Sequence, residues 1–519
     1  MTSSAARRLP LALVVGGFVL VVQMIAIQRS YSGNFASYQA TVMAAISRNM
    51  VRENFSGLLR PKTDVLLMEN GRSLHMNQYP FPALLAAAGV KCFGGTFEFW
   101  GRFQAIVCNL LSVILLGLFA GRLFDGRTGW IAGCLYALSP FTLIYGQSFI
   151  SEPFSLLFLL LAFLFLTPRG EKPLGLSSVL FAGLFFSIAV AGRIHFAVFY
   201  PLCGFFILRS RGIKPFLGIV IFTFFGFALP AAWYGYTYFV SMHEANVHTN
   251  AFVQFGLQST RTVPFLIYLK RLAVIFAGVL LTPLLFPFFI YGWFAAPKGE
   301  SYLKIAFGFF LGAAVLAVPW KIMAHDFYLY GAFPFIVILT ACGVNALFSA
   351  MPFLKRPLVL FLLILVVAAI SLRLSFNPIF KGLPEEVRAV KIGEVVQKKT
   401  NPEDRIIVAS EHPAILLYYA NRPVWNMDLT RVGMPLADYQ KNARFLHFDS
   451  SEVARLEEAM KDPVSWLEYY RAKGAAYIVI PSRLELESRE GLLRRLREHD
   501  TLISEGNDDF YLFKLAPVA

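Results

Sequence analysis

Hydrophobic and polar positions alternate on a long scale along this chain. Apolar runs of membrane-spanning length are separated by short polar turns. The clearest case is 130–166, WIAGCLYALSPFTLIYGQSFISEPFSLLFLLLAFLFL, in which two apolar runs flank the turn Gln147-Ser148-Phe149-Ile150-Ser151-Glu152-Pro153. Each run is at the short end of what crosses ~30 Å of hydrocarbon as a helix. The pattern predicts further spans near 102–120, 175–191, 195–208, 216–239, 271–294, 303–320, 328–349 and 357–375. An apolar run from Leu9 to Ile27 behind Arg7 and Arg8 reads as an uncleaved first span, because it is longer than the apolar core of a signal peptide. The total is about eleven spans.

Two regions break the pattern. Residues 28–100 form a long polar interruption. Within it Val42, Ala45, Ile46 and Met50 recur at helical spacing, predicting an amphipathic helix lying in the membrane interface. A short apolar helix follows from Pro82 to Phe93. From about 377 onward charge becomes frequent and the apolar runs shorten. RIIVAS (405–410), AILLYYA (414–420), AAYIVIP (475–481) and the run 510–515 read as strands. Amphipathic helices lie between and around them. The expected architecture is therefore a polytopic α-helical membrane protein, with 1–376 as the membrane unit and 377–519 as a small extracytoplasmic α/β domain.

Composition agrees with this outline. The chain is 57% hydrophobic with 15% charged residues, against ~25% in soluble domains. The net charge of +15 reflects loop Lys and Arg, not nucleic-acid binding. Basic residues at 122/127, 169/172, 209–214, 298/304 and 355/356 fall in alternate loops, which places those loops and the N-terminus in the cytoplasm. Every stretch with unusual polar chemistry then faces outward. The five cysteines sit in or beside apolar runs without metal-ligand spacing, so they read as small buried hydrophobes. No cofactor is implied, and the sequence leaves a divalent metal open. His243 and His248 lie five residues apart in the loop around 241–270, a spacing that makes a poor metal pair.

The outward polar set contains acids (Asp64, Glu69, Glu152, Asp326), bases (Lys62, Arg193, His195, His325) and tyrosines (Tyr38, Tyr79, Tyr145, Tyr328, Tyr330). An ionisable group in or beside a span is costly, which favours a functional role for Glu152; the structural alternative is that it serves the start of the following helix. An arginine beside a carboxylate in a membrane cavity suits an anionic, lipid-linked substrate. The guanidinium would hold a phosphate and the carboxylate would accept a proton from the attacking group.

Several segments carry a resemblance: SRNM at 47–50, NQYPFPALL from Asn77, the 121–160 region, AGRIHFAVFYPL around Arg193, and HDFYLYGAFPFIVIL from His325. Together they resemble the GT-C glycosyltransferase superfamily, close to protein O-mannosyltransferases and aminoarabinose–lipid A transferases. The resemblance implies an inverting glycosyltransferase of the bacterial inner membrane that takes a sugar from a polyprenyl-phosphate donor at the outer face. The acceptor would be a lipid, glycan or protein. Glu152 matches the acid of the turn after the third span, and Arg193 matches the base that contacts the donor phosphate. His325, Asp326, Phe327 and Tyr328 match an HDFY-like turn. Tyr79 and His195 fall in the expected substrate cavity. Two positions differ from the family pattern: Gln39 stands where the first loop normally holds an acid, and Gln78 where some relatives have an acid before the Tyr-Pro pair. The proton acceptor is therefore open among Asp64, Glu69 and Glu152. A lipid or lipid-linked-sugar flippase and a non-catalytic membrane scaffold share the same outline; the flippase would predict related halves, and no repeat is visible.

Overall fold

The computed structural model describes residues 15–32, 36–66, 71–167, 173–210, 212–244, 247–250, 264–296, 304, 308, 325–351, 357–410, 413–433, 450–482, 486–487, 489–505 and 510–517. Arg7, Arg8, Glu69, Arg261 and nearly all of the expected span at 303–320 lie outside them. The helices of the first half of the chain run in order: α1 (Val15–Ile25), α2 (Ser37–Arg52), α3 (Phe81–Phe93), α4 (Phe97–Leu123), α5 (Gly126–Leu138), α6 (Pro140–Tyr145), α7 (Ser151–Leu166), α8 (Leu176–Gly192), α9 (Tyr200–Arg209) and α10 (Pro215–His243). Helices Phe286–Ala295, Phe333–Ala350 and Pro357–Phe376 follow. Among the described residues four helices are long and apolar enough to cross a membrane: α4, α10, Phe333–Ala350 and the run beginning at Leu358.

Several expected single spans are broken, and proline explains the breaks. The segment 130–147 ends as α5 at Leu138 and restarts as α6. Ser139, before Pro140, is extended (φ −65°, ψ 147°), as the residue before a proline prefers, and its hydroxyl accepts from Thr142 N. The segment 271–294 breaks at Leu281, which is extended two residues before Pro283. Close packing elsewhere depends on small residues. A Cβ at Gly129 would lie 2.4 Å from the Gly117 carbonyl oxygen, so α4 and α5 meet backbone to backbone.

Beside the helices stands an eight-stranded mixed sheet in the order β3-β2-β1-β5-β4-β6-β8-β7. Its strands are β1 (Lys62–Leu66), β2 (Arg72–Met76), β3 (Val247–Asn250), β4 (Ile406–Val408), β5 (Val424–Asn426), β6 (Tyr477–Ile480), β7 (Thr501–Glu505) and β8 (Tyr511–Lys514). The central strands are parallel, with β4 between β5 and β6. Alternate residues feed two cores. Ile406 and Val408 face helices Pro384–Lys399 and Ala414–Ala420, whereas Ile407 joins Trp425, Ile478 and the helices of 450–472 and 490–499.

Three findings differ from the sequence reading. First, the 28–100 loop contributes a hairpin, β1–β2, and β1 joins β5 of the C-terminal unit through Val65 and Val424. Second, AILLYYA is a helix, not a strand. A short apolar run fits either period, and here Pro413 precedes it while Asn421 ends it in the left-handed conformation (φ 54°). Third, the apolar face of α2 is covered by protein. Its Ala40, Met43, Ala44, Ile46 and Met50 pack with Ala83, Ala86 and Ala87 of α3 and with Tyr418.

The SRNM segment explains the last arrangement. Arg48 lies 2.6 Å from Asp64, donates to the Tyr418 carbonyl at 2.8 Å and sits over the Tyr418 ring. Asn49 donates to the Lys62 carbonyl at 3.1 Å. This motif staples α2 to β1 and to the C-terminal unit.

Candidate active site

Glu152 lies in the first turn of α7, and Arg193 is the residue at which α8 ends. The two helices pack so closely that a Cβ at Gly192 would stand 2.5 Å from Ser155 Oγ. A helix end leaves backbone carbonyls without intrahelical partners. At α8, Tyr79 N–H donates to Ala191 O at 3.0 Å, and Tyr234 Oη donates to the same oxygen at 3.2 Å. Trp233 Nε1 donates to Asn77 O at 3.1 Å. The 77–80 turn and α10 are thereby tied to the base of Arg193.

Arg193 and Glu152 form a buried ion pair. Arg193 Nη2 lies 2.7 Å from Oε1 and 2.8 Å from Oε2 of Glu152, whose side chain is 0% exposed against 5% for Arg193. Nη2 also donates to Gln39 Oε1 at 2.6 Å, and Nη1 to Gln78 Oε1 at 3.4 Å. Because a guanidinium only donates, it fixes which way both amides face. Four segments distant in sequence thus converge on one guanidinium: α2, the turn before α3, the start of α7 and the end of α8. The cluster holds one negative and one positive charge; an acid at position 39 would have placed two carboxylates on the same arginine.

Tyr328 closes the group. The Arg193 guanidinium lies 5.7 Å from its ring centre, the His195 ring 5.6 Å and the His325 ring 6.2 Å. His325 further stacks on Phe327 at 5.2 Å. Asp326, next in the chain, turns elsewhere and accepts a hydrogen bond from Tyr145 Oη. Tyr79 packs against Phe81 and Trp233 with ring centres 4.3 and 4.8 Å away. Glu152, Arg193, Gln39, Gln78, Tyr328 and His195 are therefore neighbours, with His325 reaching them through Tyr328.

Asp64 stands outside this group. It is buried among Arg48 at 2.6 Å, Arg72 at 3.1 Å, Arg52 at 3.4 Å and Asn49 at 3.4 Å, and none of its contacts is with Glu152 or Arg193. Among the described residues no three His, Cys, Asp or Glu side chains gather as a metal site. The sequence reading missed Trp233 and Tyr234, which hold the neighbourhood of Arg193 in place. Their only signal is an aromatic pair inside an apolar helix, which reads equally as lipid-facing.

Residues 77–234, which include Gln78, Glu152 and Arg193, match the family model for dolichyl-phosphate-mannose-protein mannosyltransferases. No curated protein sequence matches the chain. The fold is similar to that of apo ArnT from Cupriavidus metallidurans, at 14% identity and a TM-score of 0.64, with 98% of each chain covered. The same protein bound to undecaprenyl phosphate gives 13% identity and 0.64 over 96% of this chain and 97% of that one. An Archaeoglobus fulgidus oligosaccharyltransferase, AglB, in complex with an inhibitory peptide and a dolichol-phosphate gives 13% and 0.52, covering 98% of this chain and 74% of that one. The family match covers the segment that carries the Glu152–Arg193 pair, and the fold of the whole chain is similar to that of ArnT. The chain thus combines a segment matching the protein-mannosyltransferase family model with an ArnT-like fold.

Proposed function

We propose that this protein transfers a sugar from a polyprenyl-phosphate donor to a hydroxyl- or amine-bearing lipid, glycan or protein acceptor at the outer face of a bacterial inner membrane. In this reading the N-terminus is cytoplasmic and the sheet layer is periplasmic. The observation that carries it is the buried Glu152–Arg193 pair at the facing ends of α7 and α8. One residue supplies a base, the other an anion holder, and a buried ion pair by itself is weak ground for stability. Undecaprenyl phosphate in the ArnT structure and dolichol-phosphate in the AglB structure support the donor class.

Glu152 takes the proton of the acceptor as its heteroatom attacks the anomeric carbon. The bond from that carbon to the phosphate oxygen breaks, and the polyprenyl phosphate leaves with the electron pair. Arg193 stabilises the charge that collects on the leaving phosphate. Attack opposite the leaving group inverts the anomeric centre. Gln39 and Gln78 hold the guanidinium in place, and Tyr328 covers it.

The test is sugar release from a synthetic polyprenyl-phosphate sugar by the purified chain. Wild type should release sugar, and Glu152→Gln and Arg193→Ala should each lose at least a hundredfold at matched folded protein. Full activity in both variants would reject the assignment. A flippase would leave the sugar–phosphate bond intact in the same assay.

A further inference from the structure

A hollow of about 240 Å³ is lined by three cations, Arg29, Arg102 and Lys381. It opens where three elements meet: the chain after α1, the second turn of α4, and the link at 377–383 between the last apolar helix and the sheet layer. Two of the segments that line it also lead to residues of the candidate active site. Ser37 and Ala40 line it from α2, which carries Gln39, and Gln147 and Ser148 line it from the turn that leads to Glu152.

No carboxylate of the described residues forms an ion pair with Arg29, Arg102 or Lys381. Arg102, 7% exposed, donates through Nη2 to Ser30 O at 2.9 Å and lies over the Tyr31 ring, while its Nε is buried without a partner. Gln147, 2% exposed, uses Nε2 on Leu143 O and leaves Oε1 without a partner. Glu98, the acid whose charge bears on Arg102, hydrogen-bonds Tyr418 and Tyr419 instead. Glu386 engages the Ser37 hydroxyl. Burying Arg102 without an ion-pair partner is expensive, and the exposed Arg29 and Lys381 add like charge beside it. An anion removes both costs.

We propose that this hollow is a second anion site that takes a phosphate group, separate from the one at Arg193. Arg102 and Lys381 hold the anionic oxygens. The volume suits a headgroup, being below that of ordinary ligand pockets at ~300–1,000 Å³. A second hollow of about 590 Å³ shares Lys381, Gly382 and Val387 with the first and adds Arg388 and Lys391, extending the basic strip toward the sheet. Phe93, Phe99, Trp100 and Phe103 cluster at the start of α4, as aromatic side chains do at headgroup depth. The phosphate can thus arrive on a lipid or as the free ion.

Calorimetric titration of the detergent-solubilised full chain tests this with two probes, inorganic phosphate and dioctanoyl phosphatidic acid. Saturable binding is expected. Lys381→Glu, at an exposed position, should weaken it at least tenfold, and Lys381→Arg should restore it. Arg193→Gln, or Arg193→Lys if the first does not fold, should leave this component within about twofold. Tighter binding of phosphatidic acid than of phosphate, with the same sensitivity to Lys381, identifies a lipid headgroup; equal affinity identifies the free ion. Absence of saturable binding, indifference to Lys381→Glu, or loss in the Arg193 variant would overturn the proposal. The last outcome would leave the sugar-transfer assay untouched, so the two ideas fail separately.

Discussion

Arg193 and Glu152 meet with 2.7 Å between Nη2 and Oε1 at the ends of neighbouring helices, both almost wholly out of contact with solvent. Removing one member of such a pair strands the other charge, at a cost of about 3–5 kcal/mol, whereas replacing both with apolar side chains is often neutral. Arg193→Ala should therefore lower the unfolding temperature in detergent, and the double variant Glu152→Leu/Arg193→Met should recover most of that loss. Both should be inactive. Recovery of stability without recovery of turnover would show that the charges are kept for chemistry.

Gln39 Oε1 accepts from Arg193 at 2.6 Å. A hydrogen bond to a charged group is worth about 1.5–3 kcal/mol. Gln39→Leu should reduce kcat/KM for the donor at least tenfold, whereas Gln39→Glu should retain more activity because it keeps an acceptor at the guanidinium. Steady-state kinetics with the two variants decide the matter; the opposite order would mean that the neutral amide is itself required.

Asp64 is the acid on which Arg48, Arg52 and Arg72 converge. Asp64→Asn leaves three guanidinium groups facing one another without a counter-charge. It should destabilise the protein by about 3–5 kcal/mol. The fraction that folds should turn over at close to the wild-type rate. Unfolding temperature and activity per folded molecule separate these effects, and an inactive folded fraction would move the base role from Glu152 to Asp64.

Gly192 and Ser155 form the closest approach of α7 and α8 at the site. Gly192→Ala places a methyl group 2.5 Å from Ser155 Oγ and should cost about 1–3 kcal/mol. Adding Ser155→Gly makes room for it, so the double variant should be more stable than Gly192→Ala alone, a non-additive result that thermal unfolding reads directly.

The site was legible where its residues interrupt an apolar pattern. Glu152 and Arg193 stand at the polar ends of greasy runs, and their pairing follows once α7 and α8 are adjacent. Gln39 and Gln78 were marked only by the resemblance, since an amide in a polar loop carries no signal of its own. The sheet was the least legible part. KTDVL and RSLHM hold few apolar residues, and each strand is defined by pairing, not by its own alternation. β5 is three residues long and sits beside both β1 and β4. The mistaken strand at 414–420 shows the converse problem. Six of its seven residues are buried, so the run carries no period that separates helix from strand.

The bond between Val65 and Val424 sets a timetable for assembly. The hairpin that carries Val65 belongs to the first fifth of the chain, and its neighbour emerges only in the last fifth. At ~5–20 residues per second, β1 waits on the order of half a minute with an unmated edge. The arginines gathered around Asp64 can guard that edge during the interval, since charge deters strays from docking on an exposed ribbon.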